Sequence, residues 1–316
     1  MALRGFVLGL LMLSMYPGLS VEKVWAESEH PLCVKDSMGV QICLHDTPKK
    51  IISLAPSLTE LVFELGAGSS LVGRTTRCNF PDEAKNVPDI GAYMKPDFEK
   101  LVAARPDLVL APKTGIRPEL IDRLRNLKIP VYVDDSLNIE DIRNVITNIA
   151  KLLGKENQAA QIVDDMQSRR DRINEMVKGE KKATALFVVG VRPLVVAGSK
   201  SFLGSLIREA GGVNIAESVA VEYPKFSIEE VIRANPDVIL ILDKECHGED
   251  CLNQWKNHIH LKAVQKNRIH ELDADLMSRP GVRTIEGLEK LSNLLHPTVF
   301  GTPQLSQRNR DSAKKQ

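Results

Sequence analysis

The sequence predicts an α/β fold of two lobes, each carrying a mostly parallel sheet, joined by a single long helix. Three observations predict it. Short apolar runs alternate with amphipathic stretches of helical spacing, the pattern of strands separated by crossover helices. Residues 98–110 recur without a gap at 228–240, so one helix-and-strand unit is present twice. Between the copies, Lys155 to Lys178 holds neither proline nor glycine and places Ile162, Val163, Met166, Ile173 and Met176 among Glu, Gln, Asp and Arg. At 1.5 Å per residue this helix would run roughly 36 Å, enough to cross from one lobe to the other. One stiff helix hinges poorly, which predicts small opening motions instead of wide closure. The expected organisation is a leader over 1–26, a lobe over 27–154, the helix over 155–178, a lobe over 179–300 and a polar, disordered tail over 301–316.

At the start, Arg4 precedes an apolar run from Gly5 to Met15 that is too short to cross a bilayer, and Pro17-Gly18 breaks it. Val24-Trp25-Ala26 places a small residue at a cleavage position, so the mature chain is expected to begin near Glu27 in the periplasm. The alternative is an uncleaved anchor helix. Lipid attachment would require a cysteine directly behind the cleavage site, whereas the first cysteine, Cys33, follows His30-Pro31-Leu32. A net charge of +1 gives no reason to expect nucleic acid or an anionic membrane as partner.

Five cysteines in an oxidising compartment suggest two disulfides and one cysteine left over. Cys33 and Cys43 flank the turn-forming Asp36-Ser37-Met38-Gly39 and could face each other across a hairpin. Cys246 and Cys251 enclose a short loop that a bridge could close, and Cys78 is the odd one. Zinc is the competing use of Cys246, His247, Cys251, His258 and His260. Export favours bridged cysteines, and His258 and His260, two apart, do not share a helix face, so no metal site is expected.

Strands are expected at Lys49–Leu54, Leu108–Ala111 and Val131–Val133 in the first half, with helices at Ser57–Leu65, Arg117–Leu127 and Ile139–Leu153. The second half repeats the plan with strands at Ala183–Val189, Val238–Leu242 and Arg268–Leu272, and helices at Phe202–Ala210, Ile228–Ala234 and Thr284–Leu295. In each copy of the repeat a helix stops before a proline, Pro106 or Pro236, and feeds a buried strand. Glu99 and Glu229 hold equivalent places at the helix starts, where the helix dipole alone would favour an acid.

Enzyme signatures are missing. Gly66-Ala67-Gly68 lacks a third glycine in register, the next being Gly73, and there is no nucleophile elbow, phosphate loop or zinc-protease helix. An exported enzyme or chelatase would need a convergent acid and base, and no such pair is found. In open α/β sheets ligands collect beyond the carboxyl ends of strands. Segments leaving strands supply Pro56, Ser57, Arg77, Tyr93, Arg192, Tyr223, Arg279 and Arg283 as candidate ligand contacts. If they converge, the four arginines make a basic cleft and the two tyrosines give it flat walls.

Ile51-Ile52-Ser53-Leu54-Ala55-Pro56-Ser57-Leu58-Thr59-Glu60, Leu71-Val72-Gly73, Asn79-Phe80-Pro81 and the two repeats together resemble the periplasmic binding proteins of the vitamin B12, siderophore and haem importers. Thr59-Glu60-Leu61, Tyr223-Pro224 and Ser278-Arg279-Pro280-Gly281 look most like the vitamin B12 branch. The resemblance implies a monomeric solute-binding protein that is not an enzyme and has no cofactor of its own. It implies a cobalt corrinoid or a ferric chelate as cargo, and an ABC permease dimer as partner. It also implies that Glu99 and Glu229 dock onto permease arginines and that Tyr93 and Tyr223 cover a corrin ring. Arg77 and Arg192 depart from the mainly apolar cobalamin cleft, and suit a ferric chelate, haem propionates or an incomplete corrinoid with exposed carboxylates.

Overall fold

The computed structural model describes residues 31–245 and 254–300. The expected leader, the Cys246–Cys251 bridge with His247, and the tail lie outside those residues. The chain folds into two α/β lobes. The first contains β1 (Leu32–Lys35), β2 (Gln41–Leu44), β3 (Ile51–Ser53), α1 (Pro56–Glu64), β4 (Leu71–Arg74), β5 (Gly91–Ala92), β6 (Lys95–Pro96), α2 (Phe98–Ala103), β7 (Leu108–Pro112), α3 (Pro118–Asn126), β8 (Val131–Asp134) and α4 (Ile139–Leu153). Its four-stranded sheet runs β4-β3-β7-β8, parallel throughout. Helices cover both faces, so β3, β7 and β8 are buried along their whole length, which is why they read as unbroken apolar runs.

The N-terminal hairpin guards the open edge of that sheet. Cys33 and Cys43 sit opposite each other in its register and are bonded. Its turn lies against β8: Ser37 N–H donates to the Val133 carbonyl at 3.0 Å, and the buried Asp36 carboxylate accepts from Val133 N–H and from Arg125. An exposed strand edge invites pairing with other chains, and the hairpin occupies it. Cys78 is free and fully buried.

The linker is α5 (Glu156–Val177), 22 residues, with Ala159, Met166 and Ile173 buried at seven-residue spacing. The remaining elements are β9 (Thr184–Gly190), β10 (Val195–Val196), α6 (Phe202–Glu209), β11 (Val213–Asn214), α7 (Ile228–Ala234), β12 (Val238–Leu242), α8 (Lys262–Gln265), β13 (Ile269–Leu272), α9 (Ala274–Met277), α10 (Thr284–Leu295) and α11 (Pro297–Phe300). The second sheet runs β10-β9-β12-β13, with β11 also on β9; only β10 is antiparallel. Two paired side chains tie α5 to this lobe. Arg169 grips Glu289 of α10 with two bonds of 2.9 and 2.7 Å, and Arg170 grips Glu209 of α6 at 2.8 and 2.7 Å.

The repeat has a physical basis. α2 and α7 are capped by Asp97 and Ser227, whose side chains accept the N–H groups that begin each helix. Each helix is followed by a residue in the left-handed region, Arg105 at φ 48° and Asn235 at φ 47°, which turns the chain into its proline. The aspartate after that proline then secures the strand beside it. Asp107 accepts the N–H groups of Lys49 and Lys50, and Asp237 accepts the N–H and hydroxyl of Thr184. Lys49 and Lys50 are thereby held outside the ladder, so β3 starts at Ile51 and not at Lys49 as the apolar pattern suggested.

Candidate functional site

The carboxyl ends of the strands in both lobes open on one cleft that encloses about 1230 Å³, part of it open to solvent. From the first lobe it is lined by Ala55, Pro56 and Ser57 after β3, Arg77 beyond β4, Tyr93 between β5 and β6, Pro112 and Thr114 at the end of β7, and Asp134 to Leu137 at the end of β8. From the second come Phe202 and Leu203 at the start of α6, Glu222, Tyr223, Asp275, and Ser278 to Pro280.

Two aromatic rings form part of the walls. Tyr93 is half-buried and donates its hydroxyl to the Thr114 carbonyl at 3.1 Å. Its ring lies so close to Gly115 that a Cβ there would sit 2.5 Å from Cε1, and Gly115 also has φ 83°, so no other residue fits. Tyr223 stands on the opposite lobe, 45% exposed. Burial pushes both phenols above their ordinary value, so both stay neutral.

The cleft is not the basic site that four arginines implied. Arg77 is exposed on the lining, and its guanidinium has no hydrogen-bond or ion-pair partner among the described residues. Arg279 also reaches the lining, but its charge is spent within the protein. It is buried and donates to Glu60 at 2.7 Å and to Asn79 at 2.8 Å, and it pairs with Asp275 at 2.9 Å. Arg283 points away from the cleft. It binds both oxygens of Glu60, at 2.8 and 3.0 Å, and stacks 4.0 Å over the Phe80 ring in a groove beside α5. Arg192 is exposed and is not part of the lining.

Four carboxylates line it: Glu222, in the segment Glu222-Tyr223-Pro224 that the sequence puts toward the ligand, and Asp134, Asp135 and Asp275, which the sequence reading overlooked. Lys113 pairs with Asp135, and Lys244 and Arg279 with Asp275. The Glu222 carboxylate has no hydrogen-bond or ion-pair partner among the described residues. Asp134 is buried, its carboxylate is bonded only to Ser136 among the described residues, and its burial lifts the carboxyl to about 6. Arg77 therefore shares the lining with Asp134 and Glu222, so the unpaired groups of the cleft are one cation and two carboxylates. The signal for these residues was present, because β7 and β8 were expected strands and Pro112, Thr114 and Asp134 to Leu137 stand at their carboxyl ends.

Away from the cleft, Glu99 and Glu229 are each the second residue of their helices, α2 and α7, and both are exposed without an ion-pair partner among the described residues. His258 and His260 belong to no group of potential metal ligands among the described residues.

A family model described as periplasmic binding protein matches residues 51–276. An ABC transporter substrate-binding lipoprotein of Bacillus subtilis, YvrC, is 29% identical over 85% of this chain and 87% of its own length. Two solved structures superpose closely. The periplasmic heme-binding protein RhuT from Roseiflexus sp. RS-1, in apo form, has a TM-score of 0.71 and 26% identity over 79% of this chain and 99% of its own. The periplasmic vitamin B12 binding protein BtuF of Vibrio cholerae has a TM-score of 0.70 and 25% identity over 79% of this chain and 97% of its own.

Proposed function

The chain belongs to the periplasmic binding protein family, the substrate-binding components of ABC importers, which are not enzymes, and from that premise we propose that it carries a corrinoid, cobalamin or cobinamide, to its permease. The observation that carries this reading is a cleft with two tyrosine rings on its lining and no excess of unpaired cations. A corrinoid is a flat macrocycle fringed with amides, and is neutral or cationic. Tyrosine faces supply apolar contact, and scattered carboxylates and serines supply partners for the amides. A polyanionic ferric chelate would face Asp134 and Glu222 with only Arg77 to offset them. The similarity to a vitamin B12 binding protein supports the same choice.

One observation favours a second reading. The unpartnered Arg77 suits a haem propionate or another carboxylate of a ferric chelate, and a heme-binding protein is similar over nearly its full length. Calorimetric titration with cyanocobalamin, aquacyanocobinamide and haemin separates the two. Heat with a corrinoid and none with haemin is expected; the reverse transfers the protein to the second reading, and silence with all three removes both.

Glu99 and Glu229 would dock onto the permease, their matched positions in the two lobes giving one acidic tip to each half of a dimeric importer. Export as a monomer to the periplasm through cleavage after Ala26 completes the proposal. It is supported by the basic start, the short apolar run and the family.

A further inference from the structure

We infer that Asp134 is the specificity-determining acceptor of the cleft, its Oδ2 bonding a ligand N–H or standing against a ligand cation. This rests on the corrinoid reading above.

The geometry singles out this carboxylate from the four on the lining. Asp135 and Asp275 are each satisfied by lysine, and Glu222 stands exposed at the rim. Asp134 alone is buried, 5% exposed, at the carboxyl end of β8 on the wall of the cleft. Its Oδ1 accepts both the backbone N–H and the hydroxyl of Ser136, at 2.9 and 2.6 Å, which fixes the side chain. Oδ2 has no hydrogen-bond partner among the described residues. That oxygen is left free to accept from a ligand, and a donor placed there would form a charge-assisted bond. An analogue that lacks the donor forgoes that gain, which is how a site built around a polar group discriminates.

The same burial makes the contact sensitive to pH. The carboxyl is lifted to about 6 by desolvation, with Asp135 and Asp141 raising it further and Ser136 opposing them. Other groups face it. The phenols of Tyr93 and Tyr132 feel its charge, Lys113 donates its backbone N–H to the Asp134 carbonyl, and Arg77, Glu222 and Asp275 share the cavity wall. Its own carboxyl is lifted by burial into the mildly acidic range. If the bound state keeps it ionised, affinity falls about tenfold per unit of pH below the free value.

The test measures dissociation constants of aquacyanocobinamide, a cation, and cyanocobalamin, which is neutral, for wild type, Asp134→Asn and Ser136→Ala. Wild type is expected to bind aquacyanocobinamide about tenfold more weakly at about pH 5 than at about pH 7.5, with a smaller change for cyanocobalamin. Asp134→Asn should bind the cation more weakly at the higher pH and show no pH slope. Ser136→Ala removes a bond that lowers the carboxyl value, so its slope should begin at higher pH, a displacement that mere loss of folding cannot produce. Wild type that binds with no slope, or Asp134→Asn that matches it at both pH values, overturns the role of Asp134 and leaves the corrinoid reading standing. Absence of binding of either corrinoid to wild type overturns the corrinoid reading, and this inference with it.

Discussion

Glu60 on the first lobe and Arg279 on the second meet at 2.7 Å with 2% and 8% of their side chains exposed, and Arg283 closes on the same carboxylate from the other side. One carboxylate thus bonds two guanidinium groups across the junction beneath the cleft, Asp275 supplying Arg279 with a second acid. Gly281 approaches Ser57 so closely that a Cβ would lie 3.1 Å from the serine Cβ. Glu60→Ala takes the carboxylate from Arg283 and leaves Arg279 with Asp275 alone. Removing one partner of a buried pair costs about 3–5 kcal/mol, so we expect the thermal midpoint to fall by on the order of 10 °C. Calorimetry of the variant checks this, and a drop of only a degree or two would mean that water already reaches the pair.

Asp107→Ala and Asp237→Ala form a matched test of the repeat. Each deletes a carboxylate that accepts two donors of the adjacent strand. Each should cost about 1–3 kcal/mol in denaturant unfolding, and the two costs should be similar. A large loss for one and none for the other would show that the two copies no longer do the same work.

These aspartates show how much the sequence disclosed and where it stopped. Repetition at 98–110 and 228–240 revealed two lobes because the helix, the turn and the strand are encoded within the segment, although each aspartate reaches a partner more than fifty residues away. β12, α4, α7 and α10 have the bounds the apolar pattern suggested, since one buried face dictates each helix and burial at every position dictates β12. The short strands β5, β6, β10 and β11 went unseen, being two residues long and without a period. In the cleft, Pro56, Ser57, Tyr93 and Tyr223 lie on the lining as the strand-end rule suggests. The arginines deceived because a sequence displays charge without its partner. Glu60 sits more than 200 positions from Arg279 and Arg283, and nothing local to either segment announces that it claims both.

The bond between Cys33 and Cys43 closes a short loop over the edge of β8. Replacing both cysteines with serine should lower the unfolding free energy by roughly 2–3 kcal/mol in the chain-entropy account. The midpoint in urea would register it, and light scattering should rise as the edge of β8 is uncovered. Stability equal to wild type would indicate that the contacts of Asp36 hold the hairpin unaided.

Changing Glu99 and Glu229 together to alanine should leave ligand affinity unaltered and abolish stimulation of the importer in reconstituted membranes. Both residues are remote from the cleft lining, so a loss of ligand binding in the double variant would contradict the docking role.

Asp134 should also make itself felt in stability. Its carboxyl is raised in the folded state to about 6, above an unfolded value of about 3.9. A raised acid contributes stability that is full below the unfolded value and is lost as pH climbs through the folded one. We therefore expect Asp134→Asn to gain on the order of 1–3 kcal/mol over wild type at about pH 7.5 and to lose that advantage near pH 4. Equal melting temperatures across the range would show that the carboxylate is already well solvated.

The bonds from α5 to the second lobe, with those at Glu60, have a consequence for the transport cycle. A carrier bolted in this way is expected to keep almost the same outline loaded or empty, with thermal fluctuation opening the jaws only slightly. Cargo would then enter by diffusing into a mouth that is already formed. Unloading would call for work from outside, spent against the guanidinium clasps at Glu60 that join the halves.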